Sequence, residues 1–434
     1  GQGAGAAVLP SRRGANMFAL DEQSRMVEKM VRQWCESRLA PRIPALEAGA
    51  EPPFPLMREM AKQFGLGAMA EAAVKKRIAK LRAAEAEGKP AEPGGGLGGS
   101  MGGEPMMMAV FIKELSRVSP GFAMGWGVSM GLAGGAILQK GTADQVERWA
   151  LPLVTVDKVG SWCLTEPGAG SDAFGSMTTT ARPKGDDPAA GYVLKGSKTF
   201  ITNGPGADIF VVYARIDRGE PREQQGVATF VLEKGMPGFT VGAPFKKMGM
   251  RDSPTSEIFF DDVEVGGDRL LGGREKGRAG RADTKESLGS ERSGVPAMAW
   301  GIIERCYDQS VEYVRQRRQF GRPIGAFQAV QLKIADLYLK LRTVENVVFR
   351  LAWMQKHKVH DAAFVNASKA QCSQLAVDAA LTAVQLHGGY GYMEEYHLEK
   401  LARDAKLLEL GAGTTDINLL SAARTLIGEE AVGP

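Results

Sequence analysis

The chain has 434 residues, of which 44% are hydrophobic and 24% charged, an ordinary globular balance able to support a sizeable core in two or three domains. Its 54 Lys and Arg nearly cancel its 50 Asp and Glu, leaving a formal net charge of +4 and no argument for a nucleic-acid partner.

Residues 1–16 read as a loose arm. They carry two arginines but no apolar stretch of the kind a secretory signal needs, and Gly rather than Met stands at position 1, as either processing or an expression scar would leave. No run of about 18 apolar residues is apparent, so no spanning helix and no membrane insertion are expected. Residues 17–158 read as a helical domain. Asp21 can cap a helix over SRMVEKMVRQWCESRL, with Met26, Met30, Val31 and Trp34 at helical spacing. PLMREMAKQFGL and MMMAVFIKELSRV give two more, and TADQVERWALPLV restarts helix with Thr142 or Asp144 as cap. Within this domain, residues 71–103 look added. They form a charged helix with Val74, Ile78 and Leu81 on one stripe, followed by the Gly-rich stretch PGGGLGGSMGG. A solvated insertion is the plain expectation for it, and a docking helix for a partner the sharper one.

Between residues 159 and 271 the texture changes to short β-branched and aromatic runs: GYVLKGSKTFIT, ADIFVVYARI, GVATFVLEK and SEIFFDDVEV. Gly, Pro and Asn separate them, which predicts an antiparallel β domain. Residues 272–290 are basic and read as a loop. From 291 to 434 the chain is helical again. Candidate helices run from Glu291 towards Arg317, from Phe327 past Trp353, over DAAFVNASKAQCSQLAVDAALTAVQL and over TDINLLSAARTLI, which together imply a four-helix bundle.

Few motifs stand alone. The cysteines at 35, 163, 306 and 372 form no C-x-x-C pair, and such sparse usage fits a reducing compartment. His357 and His360 share helical spacing without a third ligand, so no metal site is expected. Gly94, Gly96 and Gly99 match a dinucleotide fingerprint formally, but no strand precedes them and no helix opens there. The informative stretch is SWCLTEPGAGSDAFG at 161–175, a Gly-rich turn that can present backbone N–H groups and a hydroxyl to a phosphate or a polar ring edge.

Taken with FITNGP at 200–205, RRQFGRPIGAFQAVQ at 317–331 and QLHGGYGYMEEYHLEKLARDAKLLELGAGTTDI at 385–417, that stretch resembles the acyl-CoA dehydrogenase family over about residues 17–430. The resemblance implies an α+β fold of N-terminal helical domain, middle antiparallel β domain and C-terminal four-helix bundle. It implies FAD, an acyl-CoA substrate, electron-transfer flavoprotein as acceptor, and a homo-oligomer, a tetramer or at least a dimer. It also implies fatty-acid or branched-chain amino-acid catabolism in a bacterial cytoplasm or a mitochondrial matrix.

Residue by residue, the resemblance carries the flavin and the thioester end to Leu164, Thr165, Gly170 and Ser171. It lays Phe200, Ile201 and Thr202 along the isoalloxazine, with Phe in place of the family's Trp. It gives Arg317, with Gln328 nearby, to the FAD of a neighbouring subunit. It assigns Gln385, Gly388, Gly389, Thr414 and Asp416 to the cofactor as well, and Ser171, Arg292, Ala412 and Gly413 to the substrate. Many members carry the catalytic Glu in an E-G-T loop, where this chain reads Gly411-Ala412-Gly413-Thr414. A minority, notably isovaleryl-CoA dehydrogenase, place it in an E-R pair on the bundle's first helix, 29 residues before the Phe of the F-G motif. Glu291-Arg292 stands 29 residues before Phe320, which makes Glu291 the candidate base. Glu291 could also be an ordinary first-turn carboxylate, and Glu409 and Glu286 are rivals. The implied chemistry is removal of an α-proton by a positioned carboxylate, with the β-hydrogen passing as hydride to flavin N5. Two other readings stay open: a related flavoenzyme that acts on another thioester or uses oxygen, and a non-catalytic interaction protein on the same fold.

Overall fold

A computed structural model describes residues 18–88, 104–275 and 279–428, with the backbone alone for 279–291 and 293. The arm at 1–16, most of the Gly-rich stretch, and the side chains of Glu286 and Glu291 lie outside the described residues.

Helix α1 (Glu22–Trp34) starts where Asp21 accepts from the Ser24 N–H at 2.7 Å, as the sequence predicts. It buries Ser24, Val31 and Trp34, while Met26 and Met30 are 59% and 48% exposed. These two methionines were expected on the core stripe. They fall instead on the far side of the helix from Ser24 and Val31, because each residue advances by about 100°.

After α2 (Phe54–Gln63) comes α3 (Leu66–Ala86), which absorbs most of the segment expected as a solvated insertion. That expectation is corrected. Ala70, Val74, Ile78 and Leu81 are all buried, and the helix packs on residues 143–154. Arg82 reaches Glu147 at 2.5 Å, and the Glu85 carboxylate accepts the Ala143 N–H at 3.0 Å. A four-residue apolar stripe on a 21-residue helix is enough to dock it.

Helices α4 (Pro105–Val118) and α5 (Pro120–Lys140) form the centre of this domain. By length and composition α5 could cross a membrane, contrary to the expectation that no such run exists, but 78% of its most apolar window is buried inside the protein. It is a core helix.

The middle domain is one seven-stranded sheet in the order β1-β4-β2-β3-β7-β6, with β5 beside β4. The strands are β1 (Gly160–Cys163), β2 (Thr180–Pro183), β3 (Tyr192–Thr202), β4 (Ile209–Ile216), β5 (Val227–Glu233), β6 (Phe239–Val241) and β7 (Thr255–Val265). The expected antiparallel sheet is in fact mixed: β1 and β2 both pair with β4 in parallel. The long crossover from β1 through β2 and β3 brings the chain back in the same direction, which a hairpin cannot do. β3 and β7 are antiparallel over Tyr192↔Val265 to Thr202↔Thr255, with a register shift between Lys198 and Ile201.

The C-terminal helices are α6 (Ala279–Gln316), α7 (Gln328–Lys356), α8 (Ala362–His387), α9 (Leu398–Leu410) and α10 (Thr415–Ile427). Two expectations change here. Residues 279–290 are helical in backbone rather than loop, so α6 starts twelve residues before Glu291. A fifth helix, α9, joins the expected four because Leu398, Leu401, Ala405 and Leu408 recur at helical spacing and are buried.

Two buried ionic seams join the domains. At one, Glu304 of α6 accepts from Arg117 at 2.5 Å and Arg32 at 3.1 Å, and pairs with Lys113. At the other, Lys400 of α9 pairs with Asp404, with Asp252 of the β domain at 3.4 Å and with Glu47 at 3.7 Å.

Candidate active site

Three clusters hold the residues singled out from the sequence. The first is the turn after β1. Leu164 is buried, whereas Gly170 and Ser171 are exposed. Glu166 and Ala169 exchange backbone hydrogen bonds at 3.1 and 3.0 Å and so close the turn. Under it lies an ion pair that the sequence reading missed. Lys198, on β3, donates to Glu166 at 2.8 Å and to the Leu164 carbonyl at 3.1 Å. Both side chains are sealed from solvent, at 0% and 2% exposure. Glu166 also accepts the Thr178 N–H and hydroxyl, each at 2.6 Å, and the Thr179 N–H at 2.9 Å. Burial alone would raise this carboxyl, but Lys198 and the two threonines outweigh it and hold it at about 2. The same burial pushes Lys198 below the usual lysine range, against the pull of Glu166.

Along the same strand the Thr199 N–H donates to the Thr165 carbonyl at 2.9 Å. Next to it Phe200 takes a left-handed φ of +57° and is 68% exposed, with Phe245 5.8 Å away ring to ring. Ile201 is 2% exposed, so its side chain belongs to the core. The register shift at Lys198–Ile201 produces this pattern by placing Lys198 and Thr199 inside and Phe200 outside.

The second cluster is the loop 411–414. Ala412 has φ +56° and Gly413 +83°. The Arg292 Nε donates to the Ala412 carbonyl at 3.3 Å, and its Nη1 to Asn366 at 2.7 Å. Arg292, expected at the substrate, is thereby anchored to this loop and to α8. Buried Lys369 donates to the Gly413 carbonyl at 2.6 Å. Buried Asn418 donates to the carbonyls of Ala412, Gly413 and Thr414 at 3.3, 2.7 and 3.0 Å. Thr414 caps α10 through the Ile417 N–H, and Asp416 is exposed in its first turn. The backbone of Glu291 precedes Arg292 on α6.

The third cluster lines a cleft of about 570 Å³ between the ends of α6 and α8. Arg317, Gln385, Gly388 and Gly389 border it, together with Tyr313, His387 and Tyr390. Arg317 stacks over Tyr390 at 5.6 Å. His387 is buried, and its Nε2 has no hydrogen-bond partner. Burial holds its pKa below the ordinary value despite the Ala383 carbonyl, so it is neutral at pH 7. Gln328 opens α7 outside this lining. Arg317, the residue after α6, lies 25 residues from Arg292, roughly 37 Å at 1.5 Å per residue.

These features suit a flavin nucleotide. A Cβ added at Gly168 or Gly170 would meet nothing within 4 Å, so the turn has an open face. Phe200 offers an exposed ring beside it, and the cleft carries an unsatisfied imidazole nitrogen next to an arginine. Among the described residues, no group of three or more His, Cys, Asp or Glu could hold a metal ion. Glu166, Lys198, Asn366, Lys369 and Asn418 went unread in the sequence. The available signal was a charged or amide side chain on the buried face of an otherwise apolar helix or strand.

Comparison with known proteins gives a consistent answer. The family models for the acyl-CoA dehydrogenase N-terminal, middle and C-terminal domains match residues 88–157, 161–263 and 278–427. An acyl-CoA dehydrogenase of Bacillus subtilis (strain 168) is 34% identical over 403 residues, 93% of this chain and 97% of its own length. The caffeyl-CoA reductase-Etf complex subunit CarC of Acetobacterium woodii is 33% identical over 91% of this chain and 96% of its own. The structure of butyryl-CoA dehydrogenase from Megasphaera elsdenii superposes with a TM-score of 0.79 at 32% identity, covering 94% of this chain and 99% of that one. With all three domain models matched in order and relatives spanning nearly the whole length, the chain belongs to the acyl-CoA dehydrogenase family and is a flavoprotein oxidoreductase acting on acyl-CoA.

Proposed function

We propose that the chain binds FAD and that Glu291 takes the α-proton of an acyl-CoA thioester. The reading rests on one contact, the 3.3 Å hydrogen bond from Arg292 to the Ala412 carbonyl. It ties the residue after Glu291 to the loop where other members carry their base, and where Ala412 has no proton acceptor. The carbonyls of 412–414 are engaged by Asn418, Lys369 and Arg292, which fixes the peptide planes of this loop. The Ala412 N–H is the donor proposed for the enolate oxygen that develops as Glu291 removes the proton. A carboxylate in a water-poor site is raised towards neutrality, which suits it to this step.

Leu164, Thr165, Gly170, Ser171, Phe200, Ile201 (through its backbone) and Thr202 would hold the flavin ring and the thioester end. Gly413 would border the thioester. The bound flavin supplies the acceptor for the two electrons leaving the Cα–Cβ bond. Arg317, Gln328, Gln385, Gly388, Gly389, Thr414 and Asp416 would serve a dinucleotide as well. The roughly 37 Å between Arg292 and Arg317 is the reason to assign the Arg317 cleft to the FAD of a second subunit.

A homo-oligomer, in the family a tetramer, is further supported by the bundle surface, where Phe320 is 91%, Leu332 71% and Leu426 78% exposed. The relative named as a subunit of an Etf complex supports electron-transfer flavoprotein as acceptor. Four free, buried cysteines suit a reducing compartment, a bacterial cytoplasm or a mitochondrial matrix.

The test is Glu291→Gln. It should retain bound flavin, read from its absorbance, and lose about 10²–10⁴-fold in turnover, the usual contribution of a general base. Turnover equal to the parent would discard the assignment.

A further inference from the structure

The ion pair Glu166–Lys198 does more than the fold requires of it. Buried ion pairs seldom stabilise a protein better than apolar residues of the same volume would, because desolvation offsets the attraction. This one is fully sealed, at 2% and 0% exposure. Every contact it makes converges on one short stretch. Lys198 grips the Leu164 carbonyl as well as Glu166. Glu166 opens the glycine turn and accepts three further bonds from Thr178 and Thr179, which close the far end of the same loop. Thr199, the neighbour of Lys198, donates to the Thr165 carbonyl. The turn above is closed only by the Glu166–Ala169 backbone pair, and its outer side is open: Gly168 and Gly170 are exposed, and a Cβ added at either would meet nothing within 4 Å. Two residues beyond Lys198, Phe200 sits in the register shift of β3 in a left-handed conformation.

We propose that Glu166 and Lys198 are a positioning and charge-balancing pair for the flavin site: they lock Leu164 and Thr165 in place and cancel one another's field beneath the ring. The proposal rests on the flavin lying over this turn, as set out above. Neither residue touches the reacting atoms. Their effect passes through the backbone of 164–166 and through a field that, in a low-dielectric interior, is felt strongly when unbalanced. A positive charge left alone beneath a flavin favours its reduced, more anionic form. A negative charge left alone disfavours it.

The test uses the purified full chain and measures flavin content, absorbance and the midpoint potential of the bound flavin. Glu166→Gln should shift the potential upward, most clearly towards pH 6, where the stranded ammonium stays protonated. Lys198→Met should shift it downward, most clearly towards pH 8, where the stranded carboxylate is ionised. The double variant should return towards the parent. Shifts of opposite sign with return in the double variant support the pair. Shifts of the same sign, or none, overturn it, because a purely structural role would loosen the site alike in both. Where a neutralised variant does not fold, Lys198→Arg and Glu166→Asp keep both charges but displace the grip on Leu164. A parent-like potential with a displaced flavin absorbance band then supports the pair, and parent absorbance with parent flavin affinity in both overturns it. A parent chain that binds no flavin would defeat the site reading itself, a result distinct from either.

Discussion

Lys369 and Gly413 meet across the bundle, the buried ammonium lying 2.6 Å from the loop carbonyl oxygen. Asn418 donates to the same oxygen at 2.7 Å, so one carbonyl is held from two helices. This is an expensive arrangement for a loop that only joins α9 to α10, and it is what keeps Ala412 and Gly413 at positive φ. Lys369→Met is expected to leave the flavin bound and lower kcat by about 10²-fold, the scale of a misplacement near 1 Å. Steady-state kinetics check this, with KM changing much less than kcat.

If Glu291 is the base, the loop offers a second place for one. By the family resemblance Ala412 takes the place of the Glu that many members carry in this loop, and its backbone is held at positive φ. Introducing Ala412→Glu into the Glu291→Gln variant should recover about tenfold or more in turnover, or about 1.4 kcal/mol of barrier. The measurement is turnover with an acyl-CoA and an artificial electron acceptor. No recovery, with flavin still bound, would count against placing the two positions beside one substrate.

The helix α3 gives a stability prediction of opposite signature on its two faces. Ile78 is 6% exposed and packed in the core, whereas Lys76 is on the outer face. Ile78→Ala should cost about 2–5 kcal/mol, and Lys76→Ala should stay within about 0.5 kcal/mol. Deleting residues 73–91 should unfold the N-terminal domain rather than leave it intact. Denaturant midpoints distinguish these, and a parent-like midpoint for Ile78→Ala would restore the picture of a solvated insertion.

Much of the architecture was legible because period and texture change sharply along the chain. Strands β3, β4, β5 and β7 follow the apolar runs read from sequence, and Asp21 caps α1 as its residue type demands. What stayed hidden was what depends on tertiary partners. Met26 and Met30 have the spacing of a core stripe, yet the neighbouring helices lie on the other side. The stripe Val74, Ile78 and Leu81 was visible, but not the surface of 143–154 that covers it. The parallel pairing of β1 with β4 depends on a crossover that no local pattern encodes. At the site, the motif residues Gln385, Gly388 and Arg317 do border one cleft. The buried groups beneath the loops, Lys198, Lys369 and Asn418, sit on the inner faces of a strand and two helices, and only the loop carbonyls and carboxylate they reach, which come from elsewhere in the chain, explain them.

The seam around Lys400 predicts a pH effect with a definite sign. Asp404 is buried, and burial pushes it up to about 6 from 3.8; Lys400 opposes the shift and Asp252 adds to it. Glu47, Arg403 and Lys247 face the same cluster, Lys247 itself lowered to about 8 by burial. Because the folded pKa of Asp404 lies above the unfolded one, the folded state binds the extra proton, and this group adds stability as pH falls from about 6 towards 4. Other groups act the other way. His387 and His397, held below 6.5 by burial, lose stability as pH falls below that value. Glu166, held at about 2, and Glu304, also lowered, lose it below about 4.5. The clean measurement is therefore the difference in Tm between the parent and Asp404→Asn. That difference should move in the parent's favour between pH 7 and pH 4.5, since only the parent can take up the proton. A difference that is flat or moves the opposite way over this range would show that Asp404 is already an ordinary carboxylate in the folded chain.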